Sequence, residues 1–426
     1  MTHTNTINDL QAYCDDLGRR ALNASRALTR FSGADRDHAL HNIAAAILDN
    51  RRKLQADNAL DLDAGRANGL SSAMLDRLEL TDARIDLIAE SLRQVAAQPD
   101  PIGRIESGKV LPNGIRLQKR RVPIGVVLII FESRPNVTSD AASLCLKAGN
   151  AAILRGGKEA VHSNTVIAAC VREGLQAAGL PTDAVQLVET TDRAAVGHLL
   201  QMEGTIDVCV PRGGESLIRA VVEQARIPVI KHYTGNCHVY IDASADPDMA
   251  VSIAHNAKTH RTGVCNAAET LLVHQAAADN GTLKRIADDL REAGVEIRAD
   301  EKARQTLPDL KPASDDDWAT EYLDKIIALR IVDSLDQAIE HINRYGSRHT
   351  DAIVTTSLAD AERFANEVDT ANAFVNCSTR FSDGFQYGLG AEIGISTDKL
   401  HARGPMGADD LTTYKWVAYG DGQVRP

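Results

Sequence analysis

Short apolar segments alternate with helical patterns between residues 124 and 235. Strands are predicted at residues 125–132, 151–154, 185–189, 206–210 and 228–231, and helices at 137–147, 160–178, 192–202 and 215–224. Short apolar strands that alternate with helices form a parallel sheet covered on both faces. A second set of strands is predicted at residues 238–241, 270–274, 296–299, 326–332, 352–355 and 373–376. The chain is therefore predicted to be an α/β protein.

Length and composition narrow the class of protein. The 426 residues are too many for one hydrophobic core, so two or three domains are expected. Aromatic residues make up only 4% of the chain, which favours helices and buried parallel strands over a β-sandwich. The formal net charge of −11 argues against nucleic-acid binding, because phosphate backbones attract basic surfaces.

The seven cysteines are odd in number and include no Cys-x-x-Cys pair. This usage indicates a reducing compartment, with neither a disulfide framework nor a zinc site. The polar N-terminus does not resemble a signal peptide, and no apolar run is long enough to span a bilayer. We therefore expect a cytoplasmic protein without membrane contact. His38 and His41 share a predicted helix face, but without a third ligand nearby no metal site is expected.

The segments outside the two α/β sets also have clear patterns. Residues 7–98 repeat apolar side chains at helical spacing. Residues 102–122 alternate after the turn Pro112-Asn113-Gly114, which predicts a basic β-hairpin. The tail alternates at residues 413–419 and is a candidate third strand for that hairpin. Such a hairpin either pairs with another subunit or forms an exposed edge.

Polar loops follow three of the predicted strands, at the end of a parallel sheet where ligands bind. In the loop 155–158, two glycines let a ligand approach the backbone and Lys158 offers a positive charge; the alternative is a β-turn with a solvated lysine. The loop 212–216 opens a helix whose N–H groups suit a pyrophosphate, or it is an ordinary helix N-terminus. Neither a dinucleotide fingerprint nor a phosphate-binding P-loop is present.

Cys265 lies in a polar loop, with a helix-forming segment predicted directly after it. Backbone N–H groups and a helix dipole would hold its thiol as a thiolate, which makes Cys265 a candidate nucleophile. The alternative is a small buried apolar side chain. Asn136 precedes a predicted helix, where its amide is either an oxyanion donor or a helix cap.

Five sequence motifs extend the argument over nearly the whole chain. They are the residues 122–136, 150–158, 331–343, 381–396 and 399–407. Together with the Cys265 loop and the order of segments, these stretches resemble the γ-glutamyl phosphate reductase family of the aldehyde dehydrogenase superfamily. The resemblance implies an aldehyde dehydrogenase-like fold, with a Rossmann-type cofactor domain, an α/β catalytic domain and a small β oligomerisation arm.

The resemblance implies a reaction and a cofactor. Members of this family reduce L-glutamyl 5-phosphate to L-glutamate 5-semialdehyde with NADPH and release phosphate, in the second step of proline synthesis from glutamate. By resemblance, Cys265 is the nucleophile and Asn136 an oxyanion donor. The cofactor is then expected to meet Lys158 at its adenosine ribose and phosphate, Gly213, Gly214 and Ser216 at its pyrophosphate, and Glu321 at its nicotinamide ribose.

One departure separates two chemistries. Hydrolytic aldehyde dehydrogenases carry a water-activating Glu in a segment that corresponds to residues 231–235 here, and His232 stands at the Glu position. A reductase must protect its thioester from water, so the loss of that base favours acyl phosphate reduction. A hydrolytic aldehyde dehydrogenase that oxidises a small aldehyde, and a nucleotide-binding scaffold without turnover, remain the alternatives.

The substrate carries a phosphate and an α-carboxylate, which need cationic partners. The candidates are arginines in loops near the family motifs, and each could instead be part of a structural ion pair: Arg134, Arg261, Arg380 and Arg403.

The predicted domains follow from the resemblance and the strand pattern. Residues 1–104 and 123–235 are predicted to bind NADPH, residues 236–400 to form the catalytic domain, and residues 105–122 and 401–426 to form the oligomerisation hairpin and tail. A homo-oligomer is expected, and glutamate 5-kinase, which makes the substrate, is a candidate partner.

Overall fold

The computed structural model describes residues 9–425 and divides the chain into two compact units. Unit 1 comprises residues 1–231, 388–394 and 406–426, and unit 2 comprises residues 232–387 and 395–405. The first division falls after Lys231, four residues before the predicted domain boundary at 235. The portions of the predicted domains at residues 1–8 and 426 lie outside the described residues.

Five helices open unit 1, in the segment predicted to be helical. They are α1 (Leu10–Leu28), α2 (Gly33–Asp49), α3 (Arg51–Ala67), α4 (Ser72–Leu78) and α5 (Asp82–Ala97). Ser32 and Asp35 form a capping box at the start of α2, which satisfies backbone N–H groups that the helix leaves unpaired. Gly174 lies against the backbone of Ile43 on α2, where a Cβ atom would come within 2.6 Å of the Ile43 nitrogen. Only glycine permits so close an approach of two helices.

A four-stranded parallel sheet forms the centre of unit 1. Its strands are β3 (Val126–Phe131), β4 (Ala151–Arg155), β5 (Val185–Leu187) and β6 (Val208–Arg212), in the order β5-β4-β3-β6. Its helices are α6 (Asn136–Lys147), α7 (Val161–Ala177), α8 (Ala194–Leu200) and α9 (Glu215–Gln224). All six residues of β3 are buried, as expected for a central strand between two helical layers.

One strand predicted for this sheet is absent among the described residues. The segment 228–231 makes a single parallel bridge, Cys209 with Val229, and is not a strand. Pro228 accepts a hydrogen bond from Cys209 N but has no N–H group of its own, so the ladder cannot extend through it. The prediction of a fifth strand was therefore wrong.

A separate antiparallel sheet in unit 1 joins the hairpin and the tail. Strands β1 (Ile105–Val110) and β2 (Arg116–Pro123) form the predicted hairpin, and β16 (Thr412–Tyr419) pairs with β2 from Thr412↔Pro123 to Tyr419↔Arg116. The C-terminal tail thus returns to the hairpin, as the alternation of residues 413–419 indicated. The role of this sheet in oligomerisation stays a prediction.

Unit 2 is built on a seven-stranded parallel sheet. Its strands are β7 (Cys237–Ile241), β8 (Ala268–His274), β9 (Glu296–Ala299), β10 (Lys311–Pro312), β11 (Ile326–Val332), β12 (Thr350–Val354) and β13 (Asn372–Val375). The order is β10-β9-β11-β8-β7-β12-β13. Its helices are α10 (Pro247–Thr259), α11 (Gln275–Asp279), α12 (Thr282–Glu292), α13 (Glu301–Thr306), α14 (Leu335–Tyr345) and α15 (Leu358–Glu367). The short strands β14 (Gly394–Ser396) and β15 (Gly404–Met406) pair with each other. The α/β class is confirmed.

No helix among residues 9–425 combines the length and the apolar character needed to cross a membrane.

Candidate active site

Cys265 lies in unit 2, in the turn between helix α10 and strand β8. The segment directly after it is not the helix that the sequence suggested, because Ala268 already begins β8. A helix dipole at this position was therefore a wrong expectation. Groups other than a helix dipole must therefore set the ionisation state of the Cys265 thiol.

Hydrogen bonds to neighbouring segments hold the Cys265 turn in place. Cys237 on β7 donates its S–H to the Cys265 carbonyl oxygen, with a sulfur–oxygen distance of 3.1 Å. Asn266 follows Cys265 in the chain. Its backbone carbonyl accepts a hydrogen bond from the Thr379 hydroxyl at 2.7 Å, and its side-chain amide donates to the Ser382 carbonyl at 2.8 Å. These bonds come from two separate segments, so the backbone of the turn is fixed on both sides.

Two histidines flank the half-buried thiol of Cys265. One ligand atom from each of His232, Cys265 and His349 lies within 4.8 Å of the other two. Burial opposes ionisation of the thiol, but the positive imidazoles of His349 and His232 outweigh it and hold the pKa of Cys265 well below its ordinary value. The geometry therefore favours a thiolate, as a nucleophile requires.

His232 is fixed in one tautomer. Its Nδ1 lies 2.8 Å from the carbonyl oxygen of Ile395, which can only accept, so Nδ1 carries the proton. When the other ring nitrogen of His232 takes up the thiol proton, His232 becomes the positive imidazole that stabilises the thiolate. The residue that replaces a water-activating Glu in the sequence comparison thus has a structural role beside the thiol.

His349 was not singled out in the sequence. It begins the segment that leads into β12 and is buried, with its Nδ1 2.9 Å from the Thr350 hydroxyl. Its position in the sequence gives no sign of its role, because 84 residues separate it from Cys265. Only the folding of β12 two strands away from β8 brings the two side chains together.

Glu321 lies beside the same turn. Its carboxylate accepts a hydrogen bond from Gly235 N at 2.9 Å, and a Cβ atom on Gly235 would fall 1.9 Å from the Cys265 carbonyl oxygen. Burial raises the pKa of Glu321, and the negative charge of Cys265 adds to the effect. The structure thus places Glu321 close to Cys265, and its contact with a ribose stays a prediction.

Arg380, one of the four candidate arginines, interacts electrostatically with the Cys265 thiol, and Arg261 interacts with Arg380. Burial lowers the pKa of Arg380, and the charge of Arg261 lowers it further, whereas Asp383 and the Cys265 thiolate act in the opposite direction. Among residues 9–425, neither Arg261 nor Arg380 forms an ion pair with a carboxylate. Two neighbouring cations that form no ion pair with the described residues are a setting suited to an anionic substrate, although the charge of Asp383 also acts on Arg380.

The other two arginines are placed differently. Arg403 donates to Asp369 at 2.7 Å, in a cluster where Asp369 also pairs with Lys399. This is the structural ion pair that the sequence left open as an alternative. Arg134 lies in unit 1, where its carbonyl accepts from Val137 N in the first turn of α6.

In unit 1, Asn136 is the first residue of helix α6. The residue at the capping position is Pro135, and no side chain caps the helix there. The amide of Asn136 donates to Asp140 at 2.8 Å, while the other Asp140 oxygen accepts from Ser91 at 3.3 Å. The expected alternative, a capping role for Asn136, is therefore not what the structure shows. One amide hydrogen is held by Asp140, and the second is left for another acceptor.

Lys158 follows strand β4 and begins a single 3₁₀ turn, Lys158–Ala160, with its side chain exposed. Next to it, Glu159 accepts from both the backbone N–H and the hydroxyl of Ser133, at 2.6 and 2.8 Å. Ser133 has a φ of 37°, a backbone conformation that few residues other than glycine adopt. The two strand-end loops are thus bonded to each other, with Lys158 at their surface.

The loop after β6 holds the residues expected to meet a pyrophosphate. Gly213, Gly214 and Ser216 are exposed, and Gly214 occupies the capping position of α9 without a side-chain cap. A Cβ atom on Gly214 would meet no atom within 4 Å, so its backbone is open to a ligand. Gly214 N already donates to the exposed carboxylate of Glu132 at 3.1 Å. An anion at this site would therefore have to displace Glu132.

Comparison with known proteins places this arrangement in a family. The model of the aldehyde dehydrogenase family matches residues 7–307. The structure of a γ-glutamyl phosphate reductase from Thermotoga maritima is 42% identical in sequence, covers 97% of this chain and 100% of its own, and superposes with a TM-score of 0.94.

Two further structures are similar to this chain. A γ-glutamyl phosphate reductase from Saccharomyces cerevisiae is 32% identical over 97% of this chain and 98% of its own, with a TM-score of 0.55. An acetylating aldehyde dehydrogenase from Geobacillus thermoglucosidasius shares the fold, at 18% identity over 99% of this chain and all of its own, with a TM-score of 0.70. The predicted aldehyde dehydrogenase-like fold is thus confirmed, and enzymes of that family use a nicotinamide cofactor. The chain therefore belongs to the aldehyde dehydrogenase family and, within it, to the γ-glutamyl phosphate reductases.

Proposed function

We propose that this protein reduces L-glutamyl 5-phosphate to L-glutamate 5-semialdehyde and phosphate, with NADPH as reductant and Cys265 as nucleophile. The observation that carries the proposal is the Cys265 thiol between the imidazoles of His232 and His349, in a chain 42% identical to a γ-glutamyl phosphate reductase. This is the second step of proline synthesis from glutamate, the role expected from the sequence.

The first half of the reaction forms a thioester. The Cys265 thiolate attacks the acyl carbon, the bond from that carbon to the phosphate oxygen breaks, and phosphate leaves with the electron pair. The proton lost by the thiol rests on an imidazole, from which the departing phosphate takes it. Asn136 and the Cys265 backbone N–H are proposed to stabilise the oxyanion, because donors aimed at a developing negative charge lower the barrier.

The second half releases the aldehyde. When bound, NADPH would supply the hydride for reduction of the acyl carbon. The bond between that carbon and Cys265 sulfur then breaks, and Cys265 is regenerated as the thiolate, which the flanking imidazoles stabilise. His232 stands at the position of the water-activating Glu, and in this proposal its imidazole takes the thiol proton instead of activating water.

The unit 1 loops have the chemistry to hold a phosphorylated dinucleotide. Lys158 is exposed at a strand end, where its ammonium suits the 2′-phosphate that distinguishes NADPH from NADH. The N–H groups at the start of α9, with open space beside Gly214, suit the pyrophosphate. Glu321, which lies beside Cys265, suits a ribose hydroxyl as an acceptor.

The cellular setting belongs to the same proposal. A cytoplasmic location fits the cysteine usage and the acidic composition. The sheet of β1, β2 and β16 is proposed to assemble the chain into a homo-oligomer, because two aromatic side chains of strand β16, Tyr414 and Trp416, are exposed there. Functional coupling to glutamate 5-kinase would deliver a reactive acyl phosphate directly to Cys265.

The deciding experiment supplies glutamyl phosphate made enzymatically and follows oxidation of NADPH and of NADH separately. We expect turnover with NADPH by the native protein and by Cys377→Ala, a control thiol that is also half-buried, but not by Cys265→Ala. In the reverse direction, oxidation of glutamate semialdehyde should require inorganic phosphate. Phosphate-independent oxidation would assign the protein to the hydrolytic aldehyde dehydrogenases, and nicotinamide binding without turnover would make it a scaffold.

A further inference from the structure

The His232, Cys265 and His349 side chains form a set of three metal ligands. One ligand atom from each lies within 4.8 Å of the others, and the cluster is the one such group among residues 9–425. Thiolate sulfur and imidazole nitrogen are the ligands that Zn²⁺ prefers, at about 2.3 and 2.0–2.1 Å. A movement of roughly 1 Å by each side chain would bring all three onto one ion.

The surroundings of the three ligands match those of zinc sites. Metal-bound histidines donate their second ring N–H to a backbone carbonyl or another acceptor, which orients the ring. His232 already does so through Nδ1 to Ile395 O at 2.8 Å, and the Nδ1 of His349 lies 2.9 Å from the Thr350 hydroxyl. The Cys265 turn is held by Cys237 and by its neighbours. Because these contacts already orient the ligand side chains, a bound ion would have to order them little further.

The cluster is also open enough to load an ion. Cys265 and His232 are half-buried, and His349 is buried. Three protein ligands leave one position of a tetrahedral ion for solvent, the arrangement of zinc sites that exchange ligands. Nearby, the Glu321 carboxylate accepts a hydrogen bond from Gly235 N at 2.9 Å, beside the Cys265 turn.

We propose that Zn²⁺ binds to Cys265, His232 and His349 and inhibits the enzyme reversibly. The ion would occupy the sulfur lone pair that attacks the acyl carbon, so a zinc-bound enzyme cannot form a thioester. The ligand types are those of a catalytic zinc centre, but in this protein the bound ion would inhibit the reaction. Removal of the ion by a chelator restores the thiolate.

Cobalt(II) tests the site spectroscopically, because it takes the place of zinc and a cobalt–thiolate bond absorbs strongly in the near ultraviolet. The full chain, freed of metal by a chelator, is titrated with Co²⁺ and then with Zn²⁺ as competitor. We expect one equivalent of Co²⁺ to produce the thiolate band and Zn²⁺ to abolish it. Cys265→Ser should remove the band, and His232→Gln or His349→Gln should weaken binding at least about 10-fold.

A matched control uses the exposed histidine pair on α2. His38→Ala removes one of two histidines spaced three residues apart, and it should leave both the band and the affinity unchanged. Circular dichroism of each variant separates loss of a ligand from loss of the fold. The site is refuted if the native protein gives no thiolate band, or if His38→Ala weakens binding as much as His349→Gln does.

Activity and alkylation provide an independent readout. Zinc should protect Cys265 from iodoacetamide, and a chelator should reverse both protection and inhibition. Protection without inhibition would overturn the inhibitory role. The outcome is separable from the proposed reaction: turnover through Cys265 without a cobalt–thiolate band refutes only the metal site, and the band without turnover refutes only the reaction.

Discussion

The side-chain amide of Asn136 donates a hydrogen bond to a carboxylate oxygen of Asp140, one helical turn further along α6, at 2.8 Å. The single hydroxyl proton of Ser91 is shared between the other oxygen of Asp140, at 3.3 Å, and the Gly390 carbonyl oxygen, at 3.1 Å. The proposed oxyanion donor is therefore oriented by a carboxylate that helix α5 helps to hold. Asp140 was not recognised in the sequence, although its spacing of four residues from Asn136 is a usable signal.

Replacing Asp140 tests this orientation. Asp140→Ala should lower kcat by about 10-fold to 100-fold, because a misplaced donor loses most of its effect on the transition state. The KM for glutamyl phosphate should change little. Asp140→Asn keeps an acceptor for the Asn136 amide and should recover most of the rate. Steady-state kinetics of the three proteins check this, and equal losses of rate in both variants would contradict it.

The titration of Asp140 should appear in the stability of the protein. Burial raises its pKa to about 6, although hydrogen bonds from Asn136 and Ser91 oppose the shift. A carboxyl whose pKa is raised by folding takes up a proton more readily in the native state. Its contribution to stability is present at low pH and is lost as the pH rises through about 6. Urea unfolding from pH 4.5 to 7.5 should show this dependence in the native protein and less of it in Asp140→Asn.

The pH dependence of alkylation tests the state of Cys265. Its pKa lies well below the ordinary value because His349 and His232 outweigh burial, whereas burial raises the pKa of Cys377. At pH 6 an unperturbed thiol is only about 0.3% ionised. Iodoacetamide should therefore modify Cys265 at pH 6 and Cys377 only under alkaline conditions. Mass spectrometry of the two peptides decides, and similar pH profiles would refute a stabilised thiolate.

Gly235 should tolerate no side chain. A Cβ atom there would fall 1.9 Å from the Cys265 carbonyl oxygen, so Gly235→Ala must displace the turn that carries the thiol. We expect a loss of activity of at least about 100-fold, since a shift of roughly 1 Å has that effect. Gly197→Ala on α8 is the control, because its Cβ would meet only the flexible end of Gln224 at 3.3 Å. Comparable activity in the two variants would show that the turn adapts.

The candidate arginines should separate into two groups. Arg380→Gln and Arg261→Gln should each raise the KM for glutamyl phosphate by about 10-fold or more, the loss expected for one charge-assisted hydrogen bond. Arg403→Gln breaks an ion pair with Asp369 and should instead lower the midpoint of thermal unfolding slightly. The measurements are KM and Tm for all three variants. A large rise in KM confined to Arg403→Gln would reverse the assignment.

The sequence alone determined the fold class and singled out Cys265 as the candidate nucleophile. Apolar strands buried on both faces leave a pattern that is local in the chain, so β3, β4 and β6 could be read from their own residues. The β1–β2 hairpin likewise followed from a turn and alternating side chains. Two predicted elements were wrong. The strand at 228–231 does not form because Pro228 has no N–H group to continue the ladder. The helix after Cys265 does not form because that segment pairs into the sheet as β8.

Only the tertiary structure decided which side chains surround the thiol of the candidate nucleophile, Cys265. His232, Cys265 and His349 belong to segments far apart in the chain, and the parallel order β8-β7-β12 brings them together. The same holds for Arg403, whose ion pair with Asp369 is invisible in the sequence. Spacing along a chain reveals contacts within a helix or hairpin, but a parallel sheet joins residues through crossovers, and the electrostatics of a thiol depend on those distant neighbours.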